Sequence, residues 1–302
     1  MSTFWVDTDF GFDDLWALLV LRNLGAQVAG ISLVAGNAPL AQVVSNAMGA
    51  RRTYGIDAPI YAGADRPLVR ETETAERILG PHGMQSRGLH LPDGGPLHET
   101  KDANTALAAW LRSAKLGEQR DILAMGPLTN IAHLIQTAPE LAQTITRLIW
   151  MGGSNGAGNH SAQAEFNALA DPEAAAIVAN AGLALDVVDL MFCRTVAFDP
   201  DDIPQSDPLT SDLLGGYLDI ALTRGRPQMA IYDPTAALVA CQPEAFAYRR
   251  CDMIVSTITN PTYGKTTFTE NINGSTRLVV GTTLDATETC LNALAWDTLN
   301  VD

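Results

Sequence analysis

Short apolar runs alternate with helix-period segments along most of this chain, and that alternation restricts the fold more than any other feature. Thr3 to Thr8 reads as a strand ending in acids. Asp14 to Leu24 follows as a helix, with Leu15, Leu18, Leu19 and Leu21 at helical spacing and Gly25 as its stop. Val28 to Ala35 is a second strand closed by Gly36-Asn37, Pro39 opens a helix to about Tyr54, and Pro59 to Tyr61 is a short strand. The pattern resumes with helix Ala103 to Ala114, strand Asp121 to Met125, a helix through Ile135 and strand Thr146 to Met151. A helix opened by Asp171-Pro172 and strand Leu185 to Asp189 follow. Such a series predicts an α/β fold, a mostly parallel doubly wound sheet flanked by helices. From Pro208 helices dominate. Met253 to Ile258, Lys265 to Thr269 and Arg277 to Val280 then read as short strands, and Asp285 to Trp296 as a closing helix. The expectation is a single domain over residues 1–302, with these C-terminal helices and short strands as additions. Residues 63–102 break the pattern. They are rich in Gly, Pro, His and charge, and an irregular stretch this long inside a domain predicts an active-site loop.

The chain's charge narrows its partners. Its 302 residues carry 19 Lys and Arg against 34 Asp and Glu, a net charge of -15. So acidic a surface repels phosphate backbones and anionic lipid, so neither nucleic acid nor a membrane is expected as a partner. The N-terminal residues have no basic stretch and no apolar core, and no apolar run reaches the length of a membrane span, which predicts a cytoplasmic protein. Cys193, Cys241, Cys251 and Cys290 lack metal-site spacing and read as free thiols.

In open α/β sheets, ligands bind beyond the carboxyl ends of the strands. Four predicted strand ends carry acids, amides or glycines: Asp7-Thr8-Asp9, Gly36-Asn37, Met125-Gly126 and Gly152-Gly153-Ser154-Asn155. The sharpest is Asp7-Thr8-Asp9-Phe10-Gly11-Phe12-Asp13-Asp14, with four carboxylates in eight residues. A helix N-terminus favours one or two acids. Four beside an apolar strand repel one another unless a cation joins them, and carboxylates with carbonyls suit hard Ca²⁺ or Mg²⁺. The plain alternative is a capped, solvated turn. An EF-hand starting at Asp7 fails, because Phe12 and Leu18 stand where Gly and Glu are required. An Asp-x-Asp phosphatase stays open as the second class, although no Lys follows a clear strand end. The segment Asn159 to Asn167 adds amides and Glu165, groups suited to vicinal hydroxyls.

These residues, taken together, resemble the inosine–uridine-preferring nucleoside hydrolase family. The acidic turn looks like its N-terminal motif, although the family usually has Pro where Phe10 stands. The similarity continues through Val34-Ala35-Gly36-Asn37, His82-Gly83, Met125 to Ile131, Met151-Gly152-Gly153, Ala164-Glu165-Phe166-Asn167, Asp171 to Ala174 and Tyr232-Asp233-Pro234, in order over nearly the whole chain. It implies a Ca²⁺-dependent ribonucleoside N-ribohydrolase. Asp9, Asp14, the Met125 carbonyl and Asp233 would bind the ion, and Asp13, Asn159, Glu165 and Asn167 would grip ribose. Asn37 would orient the site and Asp7 support it from behind. Asp9 would take the proton of a water activated by the metal. A homo-oligomer, dimer or tetramer, is also implied.

One departure concerns the leaving base. Many members carry His before the final metal Asp, where this chain has Tyr232. A phenol, with an ordinary pKa near ~10, is a poorer acid than imidazole. His82 is then the remaining candidate donor, with Tyr217, Arg224 and Arg226 as contacts of the base. Tyr232 also motivates a third class, a silent relative that binds a nucleoside or ribose without turnover.

Overall fold

The computed structural model describes residues 2–259 and 261–296, so the expected domain limits of 1 and 302 lie outside the described residues. Eleven strands are present: β1 (Thr3–Thr8), β2 (Gln27–Leu33), β3 (Ile60–Ala62), β4 (Asp121–Ala124), β5 (Arg147–Met151), β6 (Leu185–Val188), β7 (Ala197–Phe198), β8 (Met229–Ala230), β9 (Phe246–Val255), β10 (Thr266–Glu270) and β11 (Thr276–Thr282). Nine of them form one sheet in the order β10-β9-β11-β6-β5-β4-β1-β2-β3. Strands β1 through β6 and β11 run parallel, while β9 is antiparallel to both its neighbours, β10 and β11. Helices cover both faces and bury two apolar layers, one around Phe4, Trp16 and Phe198 and one around Trp5, Ile122 and Trp150. Central strands such as β4 and β5 are therefore nearly continuous apolar runs, as a sheet buried on both faces requires.

Chain order reverses between β1 and β4. From there the chain winds outward one way through β2 and β3, and the other way through β5 and β6. That switch point opens a crevice at the carboxyl ends, where the acidic turn leaves β1.

The main correction to the sequence reading is at the C-terminus. The strands expected as short additions complete the central sheet, and the first of them is the ten-residue β9, which starts at Phe246 rather than Met253. Its first half carries the polar stretch Tyr248-Arg249-Arg250 and so lacks an apolar run. Residues 63–102 are mostly irregular, as expected, apart from a short helix at Glu76–Leu79. All four cysteines are free. No helix among the described residues is long and apolar enough to cross a membrane.

The amino ends of the strands carry a row of alternating charge. Asp121 on β4 pairs in register with Arg147 on β5, and Asp186 on β6 with Arg277 on β11. Arg277 grips buried Asp186 through Nε and Nη2, both at 2.6 Å, and Arg147 lies 3.8 Å from the same carboxylate. Removing Asp186 takes both carboxylate bonds from Arg277 and one of two carboxylate neighbours from Arg147, which keeps Asp121 at 3.1 Å. Asp186→Ala is expected to lose about 2–4 kcal/mol in chemical denaturation while kcat/KM of the folded protein is unchanged, since the row lies at the opposite end of the strands from the crevice.

Candidate active site

Beyond Thr8 the chain turns through Asp9-Phe10-Gly11 into the helix Phe12–Asn23. Phe10 has φ of 37°, the left-handed region, and is fully buried. Left-handed backbone costs an L-residue roughly 1–2 kcal/mol, so its surroundings must hold it. Phe10 N donates to Thr8 Oγ1 at 3.0 Å, and Phe10 O accepts from Asn46 Nδ2 at 3.1 Å. Proline, locked near −65°, could not take this conformation.

The turn sets its carboxylates in distinct positions. Asp9 accepts from Asn37 N at 2.7 Å and from Asn37 Nδ2 at 3.1 Å. The same Nδ2 lies 3.3 Å from Asp14, so one neutral amide bridges two acids. Asp14 also accepts from Gly11 N at 2.7 Å and from the Thr8 hydroxyl. Gly36 has to be glycine, because a Cβ there would stand 2.1 Å from Asp9 Oδ2. Asp7 lies behind the crevice, accepting from Ser32 Oγ and from Asn130 Nδ2 at 2.8 Å. Its second oxygen has no partner among the described residues.

Asp233 arrives from the far end of the chain at the start of the helix Asp233–Cys241, which packs against Phe12–Asn23. Two helix N-termini therefore meet, and their positive dipole ends favour the acids in both first turns. Asp13, Asp14 and Asp233 bring one carboxylate oxygen each within 4.8 Å of one another. Asp9, expected as a ligand, is not in this triplet. Asp13, expected on ribose, is.

The loop after β5 closes the other side. Glu165 caps the short helix Phe166–Ala170, accepting from Gly153 N at 2.7 Å, Asn167 N at 2.8 Å and Ala168 N at 3.1 Å. Asn167 Nδ2 donates to the Met125 and Met151 carbonyls, both at 3.0 Å, and Asn159 Oδ1 accepts from Phe166 N at 2.9 Å. One cleft is lined by Asp9, Asp13, Asn37, Met125, Asn159, Glu165, Asn167, Tyr232 and Asp233, with Asp14 directly beneath. Tyr217, Arg224 and Arg226 also face it, but the Tyr217 hydroxyl is engaged with Asp13 at 3.3 Å and Ala230 O at 3.1 Å.

His82 is the one expected catalytic residue that the structure does not bring into the cleft. It lines a separate cavity beside His90, the two rings 4.6 Å apart. The His82-Gly83 pair has a packing role: the His82 carbonyl accepts from Asn46 at 2.8 Å, and Gly83 (φ 61°) touches down where a Cβ would lie 2.8 Å from that of Ala38. Thr8, Ser32, Asn46 and Asn130 are supports that the sequence reading did not identify. Each is a neutral residue on a strand, helix or turn of its own, with no local signal of what it touches.

Burial dominates the electrostatics. It pushes Asp13 up to about 6 and Asp14 to about 7, the latter helped by Asp13. Asp9 and Asp233 are held well above the usual carboxylate range, first by burial and then by their acidic neighbours. Glu165 rises to about 7 and Asp7 to about 6, again by burial. None of the four acids Asp9, Asp13, Asp14 and Asp233 has an ion-pair partner among the described residues. Buried, mutually repelling and unpaired, this donor set fits a hard divalent cation. Folded-state values above the unfolded ~4 mean that the native chain binds more protons between about pH 4 and 7, so stability falls as pH rises through that window. Chelator-treated protein is expected to melt about 5 °C lower at pH 8 than at pH 5.5, and excess divalent cation is expected to cancel or reverse that slope in a thermal-melt series.

A sequence model of the inosine-uridine preferring nucleoside hydrolases matches residues 4–290. The non-specific ribonucleoside hydrolase RihC of Salmonella enteritidis is 33% identical over 270 residues, covering 86% of this chain and 85% of that protein. An uncharacterized Schizosaccharomyces pombe protein is 41% identical over 175 residues, and that match spans 58% of this chain and 52% of the yeast protein. Among solved structures, a purine-preferring ribonucleoside hydrolase from Gardnerella vaginalis superposes with a TM-score of 0.86 at 22% identity, over 97% of this chain and 99% of that one. A plant nucleoside hydrolase, PpNRh1, gives 0.85 at 23% identity over 100% and 99%. The chain therefore belongs to the inosine–uridine preferring nucleoside hydrolase family, whose members hydrolyse N-glycosyl bonds.

Proposed function

We propose that this enzyme hydrolyses the N-glycosidic bond of ribonucleosides to free base and ribose, with Ca²⁺ held by Asp9, Asp14, Asp233 and the Met125 carbonyl. The observation that carries this reading is the buried, unpaired carboxylate cluster on the floor of one cleft at the switch point of the sheet. Asp13, which joins the compact triplet, is then shared between the ion and a ribose hydroxyl. When bound, the ion would neutralise the cluster, hold ribose hydroxyls and lower the pKa of water.

Asp9 acts as general base. Its carboxylate is fixed from one side by both nitrogens of Asn37, and burial raises its proton affinity well above that of an ordinary carboxylate, which makes it a stronger base. As the C1′–N bond breaks, positive charge spreads over the ribose ring, and the carboxylates of Asp13 and Glu165 stabilise it. Asn167 spends its amide hydrogens on two backbone carbonyls, so its oxygen is left for a hydroxyl. Asn159 and Glu165 supply further partners, and fixing these hydroxyls contributes the positioning that the reaction needs. The Tyr232 phenol is pushed up to about 12 by burial and then by Cys193, so it serves as a hydrogen-bond donor rather than an acid. The four free thiols support a reducing, cytoplasmic setting, and homo-oligomeric assembly belongs to the same reading.

A panel of purine and pyrimidine ribonucleosides, assayed without added phosphate, tests this. Equal amounts of base and ribose are expected, with turnover abolished by chelator and restored by Ca²⁺. Asp9→Asn is expected to lower kcat by about 10³ with little change in KM and an unaltered circular dichroism spectrum. Release of inorganic phosphate from monoesters would identify the phosphatase class instead. Ribose binding without turnover would identify the silent class.

A further inference from the structure

We propose that His160, held by Glu73, is the general acid that protonates the departing base in this enzyme; the proposal rests on the hydrolysis reading above. Among the described residues, His160 is the one imidazole that lines the cleft. Tyr232 stands where a histidine is usual, and His82 is turned into a cavity of its own. The arginines at the rim, Arg224 and Arg226, have no proton to give near neutral pH.

The geometry around His160 suits an acid. Its Nε2 lies 2.6 Å from Glu73 Oε1, which fixes the ring and leaves Nδ1 for a ligand. Glu73 is itself anchored. Arg70 pairs with its other oxygen, donates to the Leu169 carbonyl and lies over the Tyr263 ring at 5.4 Å. A carboxylate behind an imidazole fixes the ring's orientation and its tautomer. The backbone of His160 is stapled as well, its N–H donating to Ala164 O. The ring packs on Phe166, centroids 5.5 Å apart and tilted 57°. Phe166 lies between Glu165 and Asn167, so an apolar ring face and an imidazole stand together beside the ribose groups. That is the slot a planar base requires. Arg194 donates to Gly158 O at 3.3 Å, two residues before His160, and Glu165 lines the same cleft.

In the step, the C1′–N bond breaks and its electron pair goes to the base nitrogen. That nitrogen takes the proton from His160 Nδ1. Water adds its oxygen to C1′ and gives a proton to Asp9. Exchange with solvent then returns a proton to His160 and removes one from Asp9.

The test compares two leaving groups. His160→Gln and wild type are assayed on inosine and uridine, and on p-nitrophenyl riboside, whose phenolate leaves without protonation. The expected result is a fall of about 100-fold in kcat/KM on nucleosides, loss of the alkaline limb of their pH profile, and p-nitrophenyl riboside turnover within about 3-fold of wild type. Retained turnover of that substrate also shows that the variant folds and keeps its ribose site. Glu73→Gln is expected to show the same selectivity with a smaller loss. Equal loss on both substrates would make His160 a structural or ribose-binding residue, and no loss on nucleosides would also overturn the proposal. A wild-type enzyme inert toward both substrates would instead remove the hydrolysis reading itself.

Discussion

Two helix N-termini meet at the carboxyl end of this sheet, and the repulsion among the acids they bring is the constraint on which the rest depends. Asp13 and Asp14 start one helix, Asp233 starts the other, and Asp9 precedes the first. Burial removes the water that would screen these charges. Dipoles and backbone amides offset part of the cost, but no basic side chain joins the group. A cluster arranged this way carries electrostatic repulsion that a divalent cation would relieve. On the proposed reading, this arrangement is a pre-formed metal site whose neutralisation is left to the ion.

The surrounding structure keeps that cluster in place with neutral groups. Asn37 bridges Asp9 and Asp14 with one amide, and Gly36 beside it leaves room for Asp9 and nothing else. Asn46 ties the left-handed Phe10 to the 63–102 loop through the His82 carbonyl. The acidic turn and the loop thus share a support, and the loop delivers Glu73 to His160 on the opposite wall. A positive side chain in any of these places would have satisfied the acids and removed the reason to bind a cation.

Much of this was legible in the sequence. β1 and the acidic turn were found within a residue or two, because an apolar strand followed by a helix-period run has few readings. The crevice followed from the rule for parallel sheets. Asp233 could not be found that way, since nothing local marks it, and only the motif resemblance connected it to the N-terminal turn. Side-chain direction was not legible. His82 sits in register with a known motif, yet its ring faces away, because Gly83 and the His82 carbonyl, not the imidazole, make the contacts that hold this segment. Tyr217 lines the cleft as expected of a base contact, while its hydroxyl reaches Asp13, which no local pattern signals. The polar start of β9 concealed the strand that lets the C-terminus complete the sheet.

Calorimetric titration of Ca²⁺ into metal-free protein at pH 6, repeated in buffers of different ionisation enthalpy to count protons, tests the cluster as a cation site most directly. Asp13 near 6 and Asp14 near 7 hold protons there that a cation must displace. One ion per chain is predicted, with net proton release at pH 6 that declines toward pH 8 and with binding lost in Asp233→Asn. Absence of binding, or binding retained in Asp233→Asn, would contradict the claim that this buried cluster is the cation site.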